Sequence, residues 1–328
     1  CPVVSAGAQV SPPAPPAAPS APRSTPRAPR PPRPPRAPHT WFTGGDSGVT
    51  KIDTVVSFSA NCTVDLSLIS GAMKLSTWNR NQVRVVASTT GEPSLQFDAT
   101  GSQLSLLQVK NSWRSGRDDG NIGRATYDVT VPAGVRATLS AVSGSVDASG
   151  IRGHLEVSNV SGSVNVREIG SSLSVESVSG AITAANVASD VRIENVSGRI
   201  SLANTRGALS VETVSGSIVI DGATGQRVHA TTVSGSIDFT GVIFPTGRYE
   251  FETHSGGANL ALAGNSNAAV SVETFSGSVR NDFPGVVRRR NADPEDDRTN
   301  FDYVIGQGAG RVRVETFSGS VHISQRNP

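Results

Sequence analysis

Leu155-Glu156-Val157-Ser158-Asn159-Val160-Ser161-Gly162-Ser163-Val164-Asn165-Val166 is one copy of a motif that restarts at Leu173, Val191 and Leu209, every 18 residues. The Ser-Gly pair marks the register. It falls at Ser143, Ser161, Ser179, Ser197 and Ser215 in strict step, then at Ser234, Ser255, Ser276 and Ser318 with looser spacing. Self-similarity at a fixed short period points to a solenoid or an array of stacked repeats.

The period can be halved. Apolar residues at 155, 157, 160, 164, 166, 169, 173, 175 and 178 define a nine-residue unit with spacings of two, three and four. Strand side chains alternate between faces, so residues two and four apart share one. The spacing predicts that Val160, Gly162, Val164 and Val166 face inward together, with Ser161 and Ser163 outward. Ile169, Ser171, Leu173 and Val175 are expected inward in the same way. Each coil then holds two seven-residue strands, with corners such as Arg167-Glu168 and Glu176-Ser177. A rival placement puts a corner at each Ser-Gly, a dipeptide that often marks a turn. Val, Ile, Ser and Thr dominate residues 137–242, Lys is absent there, and no run shows helical i, i+3, i+4, i+7 spacing. The expected fold is all-β: a parallel β-solenoid of about nine 18-residue coils, two strands per coil, carrying an extended Pro/Arg-rich N-terminal arm.

Three regions follow from composition. Residues 1–45 are the arm: they hold five Arg and no acid, and 14 of the 20 Pro lie within residues 1–38. The chain's net charge of +2 therefore divides into +5 on the arm and −3 on the rest. Residues 46–135 are less regular and are expected to form a β cap over an open end of the stack, where unpaired strand edges invite aggregation. Residues 136–328 form the solenoid, with a loop insertion at about 280–309. The last coil returns at Val312, Val314, Phe317, Val321 and Ile323, and Gln325-Arg326-Asn327-Pro328 is expected to close the stack with a charged, Pro-terminated edge.

The chain opens on Cys1. A cysteine followed by a Pro-rich arm suggests a lipid-anchored protein, with Cys1 carrying a covalent lipid. No apolar run reaches the ~18 residues that cross a bilayer as a helix, so lipid is the expected anchor. A single acyl chain anchors only marginally, and stable attachment needs more than one signal. Cys62 is the only other cysteine and is expected to be a buried thiol. A Cys1–Cys62 disulfide is the competing reading, which acylation of Cys1 forbids. Within the arm, Arg27, Arg30, Arg33 and Arg36 are spaced by three. Polyproline II has three residues per turn, so their guanidinium groups line one edge. That edge suits an acidic protein surface or anionic headgroups; the bland alternative is a solvated spacer.

No catalytic constellation emerges. The recurrent serines form a ladder, and no His recurs beside them. His254 sits at a template core position and is expected in the core or at a corner. His39, His154, His229 and His322 lack metal-ligand spacing. Asp118-Asp119-Gly120-Asn121 lacks the alternating acids and final Glu of a calcium loop. Gly306, Gly308 and Gly310 precede a strand, whereas dinucleotide binding needs a helix there. Glu176, Glu194, Glu212, Glu252, Glu273 and Glu315 share one template position. They are expected to splay into solvent beside Arg167, Arg192 and Arg206, or to form an acidic stripe for a cation or a basic partner. The body has no basic, aromatic-studded face for nucleic acid. No metal, no cofactor other than the lipid and no small-molecule substrate is expected.

The Val160-Ser161-Gly162-Ser163-Val164 units, the Asp128-Val129-Thr130-Val131-Pro132 strand and the Phe283-Pro284 to Ile305-Gly306 approach to the last coil resemble the DUF4097 family, over residues 50–325. That resemblance implies a β-solenoid-like fold, an adhesin label and no agreed catalytic residues. An acylatable first cysteine, a Pro/Arg strap and a β-rich domain together also resemble an extrinsic subunit of a bacterial photosynthetic reaction centre–light-harvesting complex. The function expected is a non-enzymatic accessory subunit on the periplasmic or extracellular face of a bacterial membrane. It is lipid-tethered at Cys1 and docked through its arm on a larger membrane-protein complex. The alternative is a cell-surface adhesin or glycan-binding lipoprotein. Replacing Arg27, Arg30, Arg33 and Arg36 by Ser is expected to release the protein from its partner in a co-purification assay, and unchanged association at physiological salt contradicts the strap.

Overall fold

The computed structural model describes residues 40–42, 49–59, 61–90, 94–109, 123–283, 286–289 and 299–326. All of these belong to the second of the two units into which contacts divide the chain, Ala37–Pro328. Among the described residues there is no helix. Parallel strands stack in 18-residue register, two per coil: Leu155–Ser161 with Val164–Ile169, then Leu173–Ser179 with Ile182–Val187, and onward. Leu155, Leu173, Val191, Leu209 and Val228 pile in one column. Val164, Ile182, Ile200, Ile218 and Ile237 pile in the facing one. The expected parallel β-solenoid is the fold.

Its interior is thin and aliphatic. One coil buries Leu155, Val157, Val164, Val166 and Ile169 between its two strands. Each such side chain contributes about 1.5–3 kcal/mol of burial, repeated coil after coil.

Of the two expected corners, Arg167-Glu168 coincides with a left-handed bend at Glu168, whereas Glu176-Ser177 lies within the strand Leu173–Ser179 and the turn there falls at the Ser-Gly of the rival placement. From Ser161 to Ser255 the chain turns at each Ser-Gly, where glycine takes a φ that side-chain-bearing residues avoid, +124° at Gly162, +137° at Gly180 and +125° at Gly198. At Ser143, Ser276 and Ser318 the strand continues through the pair. These glycines also stack on one another. A Cβ on Gly180 would lie 1.9 Å from the carbonyl oxygen of Gly162, and one on Gly198 would lie 2.2 Å from that of Gly180. A second bend recurs at Glu168, Asn186, Asn204 and Gly222, all left-handed at φ 53–66°. That residue shifts the alternation by one, which is why Ile169 faces inward three places after Val166.

No such kink lies between Val157 and Val160. Strict alternation therefore carries Asn159 inward and Val160 outward, the reverse of what apolar spacing suggests. The inward polar side chain has work at the corner. Asn159 Nδ2 donates to the Gly162 carbonyl at 3.0 Å, and Asn195 Nδ2 donates to Ser197 O at 3.1 Å and Gly180 O at 3.4 Å. Thr232 and Thr253 donate likewise to Gly216 O and Gly235 O, each at 3.4 Å. Turn carbonyls that leave the ladder need partners when buried, and an aliphatic side chain supplies none.

Both ends break sequence order. The last strand, Gly310–Arg326, does not close the stack as expected; it lies between the coil of Arg248–Ser255 with Ala258–Ala263 and the coil of Ala268–Asn281. Gln325 and Arg326 pair with Leu262 and Ala263 inside the stack. The outer coil is covered instead by antiparallel strands Thr299–Ile305 and Val286–Arg289, which form part of the excursion after residue 280. At the other end, Thr63–Trp78 lies between Arg136–Ser149 on one side and Gln103–Val109 with Ala125–Pro132 on the other. Antiparallel strands Ser94–Thr100, Gln82–Thr90, Val49–Ser57 and Thr40–Phe42 complete that end. A terminal rung paired antiparallel cannot template a further parallel coil, so the ends resist end-to-end growth.

The stacked corner makes a direct prediction. Gly180→Ala combines a forbidden φ with a backbone clash and is expected to cost at least about 2 kcal/mol. Gly101, whose Cβ would meet nothing within 4 Å, is expected to tolerate Ala within about 0.5 kcal/mol. Urea midpoints of the two variants check the contrast; similar values contradict it.

Candidate functional site

The strands that lead into the Ser-Gly corners form one sheet, and its outer face carries two parallel columns. The column nearest the corner is apolar. Val142, Val160, Val178, Val196, Val214 and Val233 stand one above another, each 47–51% exposed. His254, Phe317 and Phe275 continue it. His254 is thus exposed on this column, not in the core. Its ring stacks on Phe317 at 4.8 Å and 10°, and Phe317 stacks on Phe275 at 4.9 Å and 4°. Burial would reward every one of these side chains, so an unbroken exposed row of them is the informative observation.

Two residues earlier on each strand stands the second column, Ser158, Glu176, Glu194, Glu212, Thr231, Glu252, Glu315 and Glu273 in spatial order. Between the columns the strand dips at the inward Asn, Ser or Thr. The result is a groove with an acidic wall and an apolar wall. A stretch of about 710 Å³ runs past Val160, Val178 and Val196. A second, of about 610 Å³, continues it past Glu252, His254 and Phe317.

The acidic wall is only partly neutralised. Arg192 pairs with Glu194 at 2.5 Å. Arg313 pairs with Glu315 and, at 3.5 Å, with Glu273. Among the described residues no cation pairs with Glu176, Glu212 or Glu252. Of Arg167, Arg192 and Arg206, expected beside this ladder, Arg192 stands on it. Arg167 lies on the facing strand and Arg206 follows the strand ending at Thr205. Carboxylates stacked about 4.8 Å apart present their charge in a line and do not converge on a point, as a cation site needs.

Elsewhere the titratable groups form small local contacts. His154 Nδ1 and Ser172 Oγ are 2.7 Å apart, and His229 lies 3.6 Å from Glu250. Asp282 holds Arg280 and His322; hydrogen bonds from these two, Arg280 first, keep its carboxyl below the usual range. Cys62 is a buried free thiol, and burial raises its pKa, which leaves it protonated and unreactive. Among the described residues no three His, Cys, Asp or Glu side chains are grouped to hold a metal, and no helix is long and apolar enough to cross a membrane. Cys1, Arg27, Arg30, Arg33 and Arg36 lie outside the described residues, as do Asp118-Asp119-Gly120-Asn121.

Sequence reasoning found the Glu column but placed the Val column inside. Residue type alone does not separate the two apolar positions. Asn186, Asn204 and Gly222 suit a left-handed bend and make one, but Asn159 and Asn195 stand at the matching place before Val160 and Val196 and make none.

A family model described as Toastrack DUF4097 matches residues 63–324. Among solved structures, one from Clostridium sporogenes ATCC 15579 is described as that of a "putative cell adhesion protein". It is 10% identical, with 84% of this chain and 100% of that chain covered and a TM-score of 0.21. The search of curated proteins gives no match.

A column of like charges is a cost to folding. At about 4.8 Å, neighbouring carboxylates repel by about 1 kcal/mol in water. Glu212→Gln is therefore expected to leave stability unchanged or raise it by up to about 1 kcal/mol at low salt, read from thermal or urea unfolding. A clear loss contradicts the view that Glu212 is there for something other than the fold.

Proposed function

The chain belongs to the Toastrack DUF4097 family, and from that premise we propose that it is a non-catalytic, extracytoplasmic binding scaffold. Its solenoid serves as a stiff support and its outer groove as the contact face for a larger membrane-protein complex. The observation that carries this reading is the apolar column from Val142 to Phe275. A repeat that needed only to fold would place Ser or Thr at an exposed position, as it does at Ser161, Ser179 and Ser197. Here each coil instead exposes a valine or a ring. In this proposal Cys1 and the Pro/Arg-rich arm supply the membrane tether and a second contact. A photosynthetic reaction centre–light-harvesting assembly is the narrower case of such a complex.

A second reading rests on a different observation. The stacked rings of His254, Phe317 and Phe275 offer flat apolar faces at one end of the groove, which suits a glycan on an adhesive surface protein.

Native gels of detergent-solubilised membranes test the first reading. The protein is expected in a high-mass complex, and a Val160→Ser, Val178→Ser, Val196→Ser variant is expected to run free at its own 33.9 kDa. These exposed valines contribute little to the core, so the variant keeps its fold. A variant that stays in the complex contradicts the proposal, and a wild-type protein released only by excess glycan supports the second reading.

A further inference from the structure

We propose that the groove takes a polyproline II segment with arginine at every third residue; the inference rests on the reading of this groove as the binding face. Glu176, Glu212 and Glu252 are the glutamates of this column that no cation engages among the described residues, and they stand on alternate rungs: Glu194 lies between the first two, and Thr231 between the last two. Two rungs of a parallel stack measure about 9.6 Å. Polyproline II rises about 3.1 Å per residue with three residues per turn, so equivalent side chains recur along one edge about every 9.3 Å. An arginine on each turn therefore meets each unpaired glutamate in step, with a mismatch of about 0.3 Å per turn that a guanidinium on a flexible stem absorbs.

The intermediate rung fits as well. Glu194 already has Arg192 at 2.5 Å, so the rung that the ligand skips carries its own cation. The apolar column lies two residues along the strand from the acidic one, about 6.6 Å away. It meets a second edge of the three-sided ligand, which proline rings occupy. Prolines docked on an apolar or aromatic groove are a recurring recognition mode with little ordering cost, because the ligand is already extended. An α-helix has no such match, since its rise of about 1.5 Å per residue brings charges at i and i+7 about 10.5 Å apart and drifts off register within two turns. A β-strand with arginine at every third residue points alternate arginines to opposite faces. The partner class is a basic, proline-rich polypeptide.

Fluorescence anisotropy tests this with the full chain carrying Arg27→Ser, Arg30→Ser, Arg33→Ser and Arg36→Ser, so that its own arginine-every-third-residue stretch does not compete, and a labelled peptide of five Arg-Pro-Pro repeats. Saturable binding is expected, weakening as salt rises. Glu176→Gln, Glu212→Gln and Glu252→Gln together are expected to weaken it at least tenfold, whereas Glu194→Gln changes it less than twofold. Five Arg-Pro-Pro-Pro repeats carry the same charge on a spacing of about 12.4 Å and are expected to bind at least fivefold more weakly. Equal affinity for the two peptides, no loss in the triple variant, or no saturable binding overturns the inference. If the peptide fails while the native complex still depends on Val160, Val178 and Val196, the ligand class is wrong and the groove stands. If both fail, the groove itself is not the binding face.

Discussion

The approach of backbone to backbone at the Ser-Gly corner constrains everything else in this solenoid. Gly162, Gly180, Gly198, Gly216 and Gly235 sit so close that a Cβ on any of them would fall 1.9–2.2 Å from the carbonyl oxygen of the glycine one coil before. A column of bare main chain leaves one way to stack: coil on coil, corner on corner, without a slip of even one residue. A slip would also turn every side chain to the opposite face. With register fixed there, equivalent residues fall into columns along the stack, and a property repeated in sequence becomes a stripe on the surface.

What those stripes are follows from the polar residue just before each corner. Asn159, Asn195, Thr232 and Thr253 donate to turn carbonyls there, whereas Ser177, Thr213, Thr274 and Thr316 are buried at the same position without a partner. At each of these rungs the polar position belongs to the interior and the next residue is turned out. The apolar wall of the groove is thus a by-product of strand alternation only in its direction. Its composition is a separate matter: the same outward position holds valine six times, then histidine and two phenylalanines, and hydrogen bonding at the corner asks for none of them. The glutamate wall has the same standing. Neither column contributes what a fold requires, and both sit where a partner lying along the axis would touch every rung or every second rung.

Much of the architecture was legible because the repeat states it directly. The 18-residue register gave the coil, its two strands and the parallel stacking, and the Ser-Gly ladder gave the columns. The orientation of Val160 was not legible from hydrophobicity, since Val160 and Ile169 follow the same spacing and face opposite ways. Left-handed backbone at Glu168 decides Ile169, and uninterrupted alternation from Val157 decides Val160; apolar spacing encodes neither. The placement of Gly310–Arg326 between two earlier coils was likewise hidden, because matching registers at Ser255, Ser276 and Ser318 allow any order of stacking. Half of the candidate site, the glutamate column, could be read in advance, while the valine column was seen but assigned to the wrong face.

The account stands on outward valines stacked at one rung per coil, and pulsed electron spin resonance measures that directly. Spin labels placed pairwise at Val142 with Val196, Val142 with Val214 and Val142 with Val233 span three, four and five rungs. The predicted result is a distance that lengthens by about 4.8 Å with each added rung, from labels that are mobile and solvent-accessible in a folded protein. Distances without a constant step, or labels that are immobilised and shielded from water, would contradict the stacked, outward-facing column.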